Sequence, residues 1–324
     1  MFYLGIDVAK AKIDCCLILE NSANKKKTKT FSNTPKGFEQ LQIWLNQHAA
    51  TSTQTIILME ATSIYHELLA KYLFDEGYQV SVTNPARARY FAQSMSKLNK
   101  TDKVDSEVLA RFAMTANLHF WQPLPKHIQL LNALLERRAV LCEDLQREKN
   151  RLEKAESTFT MEPVLESLHK SIEQLNQHIQ GIDQQIDDHI DQNPDLKNDK
   201  ELLSSIPAIA DRTSLLMLSF LRSHTFERAS QAAAFVGLVP TQKQSGSSIH
   251  GRSHLSKAGS SKIRAGLYMA AIVATRHNPH IKGMNERLLA NGKTKMMAIG
   301  AAMRKLVHLC YGVLKHQQPY QADY

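Results

Sequence analysis

The 324-residue sequence predicts an α/β N-terminal domain, a long helical insert and a mainly α C-terminal domain. Three observations carry this reading. Three β-forming runs open the chain and give way to alternating helix and strand patterns. Residues 126–190 are dominated by Leu, Glu, Gln, Lys and Ile, with Gly181 as their one glycine. Positive charge is concentrated in the last quarter, where apolar helical patterns flank a Ser- and Gly-rich stretch.

In the first domain, MFYLGIDVAKAKIDCCLILE reads as a strand ending at Asp7 and a second strand ending near Glu20, and KTKTFSNT as a third. A helix over residues 37–48, a strand over 55–60, a helix over 64–76, a strand over 79–82 and helical segments from Pro85 follow. Three strands in succession and then helix–strand alternation imply a mixed sheet covered by helices on both faces. The expected boundaries are residues 1–122 for this domain, 123–195 for a helical hairpin and 196–324 for the C-terminal domain.

Within the insert, Leu165, Leu168, Ile172, Leu175, Ile179, Ile182 and Ile186 follow one another in steps of three and four, a heptad seam. The partner stretch carries Ile128, Leu131, Leu135, Cys142, Leu145 and Leu152 in register, interrupted by Arg138 and Lys149. A break around FTMEPV predicts an antiparallel coiled-coil hairpin, its seam closed internally or between subunits.

Net charge is +9, and its distribution is uneven. Residues 241–320 hold thirteen Lys or Arg against one acid, Glu286, a local charge of +12. A regional excess of that size belongs to a surface for an anionic partner, with nucleic acid the first candidate. The four cysteines lack CxxC or zinc-site spacing, the N-terminus lacks a secretion signal, and no apolar run approaches 18 residues. These features predict a protein of the reducing cytoplasm with no membrane partner.

Two constellations carry chemistry. Asp7 closes the apolar run YLGID and Glu60 closes TIILME, while Asp102 and Asp105 stand three apart in NKTDKVDSEVLARF. A charge at the end of an apolar strand is costly unless a cation meets it, and Asp residues three apart share a helix face. Four such carboxylates suit a hard divalent cation, Mg²⁺ or Mn²⁺, better than zinc. Each acid taken singly also fits a cap or turn role. The second constellation is KQSGSSIHGRSHLSKAG, residues 243–259, read as a loop: Lys243, Arg252 and Lys257 lie within it, and Lys262 and Arg264 just after it. Glycines and basic residues together can wrap a phosphate, and a serine there can attack phosphorus once a base takes its proton. On composition alone its five serines are equivalent, and His250 and His254 are the nearby candidates for the base. Further upstream, LLSSIPAIADRTSLLMLSFL has a helix-hairpin-helix outline, but with Ala208 and Ala210 where such hairpins carry glycine. HNPH, with His277 and His280, is read as exposed histidines, Pro279 opposing the helix that would align them.

YLGIDVAK, LMEATSIY, VSVTNPARARYFAQS and NKTDKVDSEVLARF, with PTQKQSGSSIHGRSHLSKAGSSKIRAGLYMAA downstream, resemble the DEDD insertion-sequence transposases that use a bridge RNA, together with the Piv-type DNA invertases. The resemblance runs from Tyr3 to about Tyr320. It implies a ribonuclease H-like (RuvC-like) first domain in which Asp7, Glu60, Asp102 and Asp105 bind metal and serve catalysis. It implies further that Ser245, the serine before Gly246, is the nucleophile. Lys100, Lys243, Arg252, Lys257, Lys262 and Arg264 are the basic residues expected to meet nucleic acid. Ser63 departs from the glycine expected after Glu-Ala-Thr, and Ser106 from the commoner alanine; neither is a ligand position. The expected function is DNA transposition or site-specific recombination near the bacterial nucleoid, by a homodimer or tetramer with DNA and a structured noncoding RNA as partners. The alternatives are a Piv-type invertase without guide RNA, a metal-dependent Holliday-junction nuclease in which Ser245 is structural, and a non-catalytic DNA-bridging protein.

Overall fold

The fold comes from a computed structural model that describes residues 1–19, 25–61, 64–95, 102–242, 244–245, 249–250 and 254–322, with the backbone alone for 102–103, 244–245 and 249–250. Two compact units emerge, Met1–Pro123 and Leu124–Tyr324.

In the first unit, β1 (Phe2–Val8), β2 (Lys12–Leu19) and β3 (Lys26–Ser32) form an antiparallel meander. After α1 (Pro35–Gln47), strand β4 (Thr55–Glu60) pairs parallel to β1. Helix α2 (Glu67–Asp75) then leads to β5 (Gln79–Thr83), parallel to β4, so the sheet order is β3-β2-β1-β4-β5. α3 (Pro85–Ser94) and α4 (Asp102–Thr115) complete the unit. This is the mixed sheet expected. One face buries Leu4, Ile6, Ile57 and Val80 against Phe38, Leu41 and Leu45 of α1 and Leu69 and Leu73 of α2. The other face sets Tyr3 and Leu58 against Leu109, Phe112 and Ala113 of α4, and Cys16 and Ile18 against Ala110.

Gly5 governs that second face. A Cβ there would stand 2.0 Å from the Ser106 carbonyl oxygen and 2.3 Å from the Ala110 nitrogen, so α4 rests its backbone directly on β1. Tyr3, earlier in the strand, meets residues later in the helix. The helix therefore runs against the strand, and its N-terminal end lies toward Asp7.

The second unit begins with α5 (Lys126–Glu156) and α6 (Glu162–Asp191), packed together and joined by five residues, which makes them antiparallel. Arg138, an interruption of the apolar pattern in sequence, forks onto both carboxylate oxygens of Asp183 across the pair. The base of the hairpin, at Ile128, Leu131, Ile186 and Ile190, is part of the core of this unit rather than a core apart. α7 (Pro194–Ser204) and α8 (Asp211–Arg222) follow, clamped where Arg222 pairs with the buried Asp199 through two hydrogen bonds of 2.5 and 2.7 Å. Between them Ile209 N–H donates to the Ile206 carbonyl at 2.9 Å around Pro207 and Ala208. Ala208 takes φ 83°, the left-handed conformation that a type II turn demands after its proline. The chain makes the glycine-type turn with an alanine.

α9 (Ala229–Phe235) leads into four two-residue strands, β6 (Pro240–Thr241), β7 (Gln244–Ser245), β8 (Ile249–His250) and β9 (His254–Leu255). α10 (Ser261–His277), α11 (Pro279–Ala290) and α12 (Lys295–His316) close the fold. α11 was not anticipated: Asn278 caps it, its Oδ1 accepting from Ile281 N–H, and Pro279 stands at its first turn, where a missing N–H costs nothing. By length and composition α12 is apolar enough to cross a membrane, but half of its most apolar window is buried. Ala302, Leu306, Val307 and Cys310 make it the spine of this core.

Two substitutions test the backbone account in urea unfolding of the full chain. Gly5→Ala is expected to destabilise by about 3 kcal/mol or more, since overpacking here meets rigid backbone, whereas Gly181→Ala, with no neighbour within 4 Å, is expected to stabilise by up to about 1 kcal/mol. Equal midpoints for the two would contradict the close packing of α4. Ala208→Gly is expected to gain about 1 kcal/mol by relieving the left-handed alanine; a loss of stability would show that the turn is not strained.

Candidate active site

At one end of the sheet the register lines up three polar residues. Ile6 pairs with Met59, so the next pair along the parallel strands is Asp7 and Glu60, and Glu60 pairs in turn with Thr83. Alternation places Asp7 on the face of Tyr3 and Gly5, and Glu60 on the face of Leu58: the face that α4 covers. Asp105 is in the first turns of α4, beside the Ser106 carbonyl that touches Gly5. Asp7, Glu60 and Asp105 are each half-buried. The N-terminal end of a helix carries partial positive charge, which favours carboxylates gathered there. Asp102 opens the same helix; its side chain lies outside the described residues.

A fifth carboxylate was missed from sequence. Asp14 is the antiparallel partner of Asp7, and it is 6 % exposed. Thr30 donates a hydrogen bond to its Oδ1, and Lys12 Nζ lies 3.0 Å from its Oδ2. Its charge is thus already compensated. Asp14 stands in the apolar run KIDCCLIL, and the reasoning that singled out Asp7 and Glu60, an acid among buried residues, applies to it equally. Glu107, also buried, is held by Lys26 and by Arg111 Nε at 2.9 Å.

The donor chemistry at this end suits a hard divalent cation: oxygen ligands, with no cysteine or histidine among them. Thr83 adds a second indication. Its Oγ1 is buried without a hydrogen-bond partner among the described residues, an orphaned polar atom beside Glu60 that a ligand or its water would satisfy. Among the described residues no three His, Cys, Asp or Glu side chains form a group that could hold a metal ion; the side chain of Asp102 lies outside them.

In the second unit the segment read as a loop contains short paired strands. β6 pairs with β9, and inside that ladder β7 pairs with β8, setting Ser245 opposite Ile249. Strands of two residues are too short to show alternation, which is why composition reads as loop. The hairpin base is fixed firmly. Ser256 N–H donates to Val239 O at 2.9 Å and Lys257 N–H to Gly237 O at 3.1 Å, while Thr241 Oγ1 donates to His254 O at 3.0 Å. Gly259 lies so close to α9 that a Cβ would be 2.0 Å from the Phe235 carbonyl oxygen. Arg264 Nη1 donates to Val236 O and Gly259 O, each at 2.9 Å. Half-buried and so engaged, Arg264 braces the hairpin, whereas Lys257 and Lys262 are exposed. Lys100, Lys243 and Arg252 lie outside the described residues, as do the side chains of Ser245 and His250. His254 is exposed. Cys310 offers no rival nucleophile: burial pushes its thiol up to about 12.

Known proteins align with both constellations. The IS110-type DEDD family model, described as Transposase, matches residues 4–157, and a model described as Transposase IS116/IS110/IS902 family matches residues 200–285. The pilin gene-inverting proteins of Moraxella bovis and Moraxella lacunata are each 33% identical over 320 residues, covering 98% of this chain and 97% of theirs. An insertion element IS110 43.6 kDa protein of Streptomyces coelicolor is 26% identical over 166 residues, 51% of this chain and 40% of its own length. With both family models matched in order and relatives of that identity aligned along nearly their whole length, the chain belongs to the IS110 family of transposases, a family that takes in the Piv-type gene inverters.

Proposed function

We propose that this chain cuts and rejoins DNA through a phosphoserine intermediate. Asp7, Glu60, Asp102 and Asp105 would hold divalent metal, Mg²⁺ or Mn²⁺, and Ser245 would supply the nucleophile. The observation that carries the reading is the register that aligns Asp7 with Glu60 on the face covered by the N-terminal end of α4. Bound there, the metal would offset charge building on the phosphate in the transition state.

The remaining work falls to the chain itself. As the Ser245 hydroxyl gives up its proton, its oxygen bonds to phosphorus, the bond from phosphorus to a sugar oxygen breaks, and that oxygen leaves as a hydroxyl after taking a proton. The phosphodiester energy stays in the serine ester, so attack by another strand's sugar hydroxyl reseals DNA and returns the serine without ATP. Exposed Lys257 and Lys262 beside the hairpin supply positive charge toward the phosphates, and Arg264 keeps the hairpin base in place. A homodimer or tetramer and a bridge RNA that pairs with the DNA complete the proposal.

A second reading, gene inversion without a guide RNA, is favoured by the end-to-end alignment with the two pilin gene-inverting proteins. The chemistry is the same, and RNA separates the two: an RNA that co-purifies and is required for strand exchange upholds the guided reading, and exchange by RNA-free protein upholds the other. A metal-dependent junction nuclease would leave Ser245 without a chemical role.

The covalent step is tested with labelled DNA on a denaturing gel. Wild-type protein is expected to give a protein–DNA adduct, Ser245→Ala none, and Asp105→Asn about a hundredfold less. Undiminished DNA cleavage by Ser245→Ala, with no adduct in either protein, would overturn the serine mechanism and leave the nuclease reading.

A further inference from the structure

In the second unit, lined by no residue of either constellation, a cavity of about 410 Å³ opens between the C-terminal half of α12, the start of α11 and the tail that follows α12. It falls within the range of about 300–1,000 Å³ typical of small-ligand sites. Lys305, His308 and His316 bring nitrogen groups to it, and none of its described lining residues is acidic. Lys305 makes no ion pair with a described residue. His308 Nε2 is buried without a hydrogen-bond partner among the described residues. Burial, with Arg304 and Lys305 nearby, lowers the proton affinity of that ring, which keeps it neutral and able to hydrogen-bond a neutral polar edge.

One wall is a fixed aromatic ring. Tyr320 O–H donates to Asn278 Oδ1 at 3.2 Å, its backbone N–H donates to Ser205 Oγ at 2.8 Å, and its ring meets His280 edge to face at 5.6 Å. Gly312, also in the lining, interrupts a long helix, where glycine costs about 1 kcal/mol relative to alanine. Beyond the helix's own backbone, no atom of the described residues lies within 4 Å of where its Cβ would be, so their packing does not require the glycine; the open volume it leaves belongs to the cavity.

From these features we infer that the cavity receives one unpaired nucleotide of a nucleic-acid strand. The base lies between Tyr320 and the apolar floor of Leu309 and Val313 and is hydrogen-bonded on its edge by His308, while its phosphate meets Lys305 and His316. An anion without an aromatic body would leave Tyr320 and the apolar floor unused, and a duplex would keep its bases stacked inside it. The inference rests on the cavity and on the family's action on DNA. It needs neither Ser245 nor the carboxylates, so failure of the covalent mechanism leaves it standing.

The test uses the full chain and fluorescence anisotropy with a short unpaired oligonucleotide, in DNA and RNA versions, and a duplex of the same sequence. Gly312→Leu, which fills the cavity from an open position, and Tyr320→Ala are each expected to weaken single-strand binding about tenfold while leaving duplex binding unchanged. Lys305→Met should reduce the salt slope by about 0.7. Gly312→Ala should retain binding and raise the melting temperature, which separates filling of the site from damage to the fold. Photocrosslinking of a 5-iodouracil strand should label Tyr320 or His308. Competition of that adduct by uridine monophosphate assigns the site to a mononucleotide, and competition by the oligonucleotide alone assigns it to a strand; a stronger effect on the RNA or the DNA version names the polymer. Unchanged single-strand affinity in Gly312→Leu and Tyr320→Ala, with adducts only elsewhere, would overturn the proposal.

Discussion

The contact of the α4 backbone with β1 at Gly5 is the constraint on which the N-terminal site depends. No side chain separates the two elements: the Ser106 carbonyl and the Ala110 nitrogen occupy the space a Cβ would take. This close approach draws the start of α4 down to the strand end where Asp7 and Glu60 are neighbours in register. A larger residue at position 5 would lift the helix, and Asp105 with it, from the sheet. Asp14 and Glu107 are buried on the same layer, but each is matched by cations or a hydroxyl, Asp14 by Lys12 and Thr30, Glu107 by Lys26 and Arg111. The fold thus compensates these two acids internally.

In the second unit close backbone approach serves a different end. Gly237 and Gly259 allow the hairpin base to cross α9, and Arg264 ties the crossing with two carbonyl acceptors. Leu255 packs its Cδ1 at 3.2 Å from the Cβ position of Gly300, anchoring the outer strand of the hairpin to α12. A two-residue ladder has little stability of its own, so the placement of β7 depends on this anchoring. The same helix forms the wall of the nucleotide cavity farther along, where another glycine opens space instead of closing it.

Much of this was legible in the sequence, for identifiable reasons. Strands ending in Asp7 and Glu60 announce themselves because apolar runs stop at a charge, and the two long helices because glycine and proline are nearly absent from them. What sequence lacks is pairing. That Asp7 and Glu60 are neighbours follows from β4 inserting beside β1, a long-range choice no local pattern reveals. Asp14 carries the same signal, an acid among buried residues, but inside a strand rather than at its end. Arg138 looked like a flaw in the heptad pattern because its partner, Asp183, lies on the other helix. Asn278-Pro279 looked like a break and is a helix start. Ser245 was singled out by family resemblance alone; the hairpin that carries it has strands too short for periodicity to detect.

The central claim is that the α4–Gly5 contact assembles a metal site from Asp7, Glu60, Asp102 and Asp105. Anomalous scattering from crystals grown with Mn²⁺ tests it most directly. The account predicts a manganese peak within coordination distance of the Asp7 and Glu60 carboxylates and of the two aspartates of α4, lost in crystals of Asp7→Asn. A saturated crystal with manganese bound only elsewhere, or with an unchanged peak in Asp7→Asn, would contradict it.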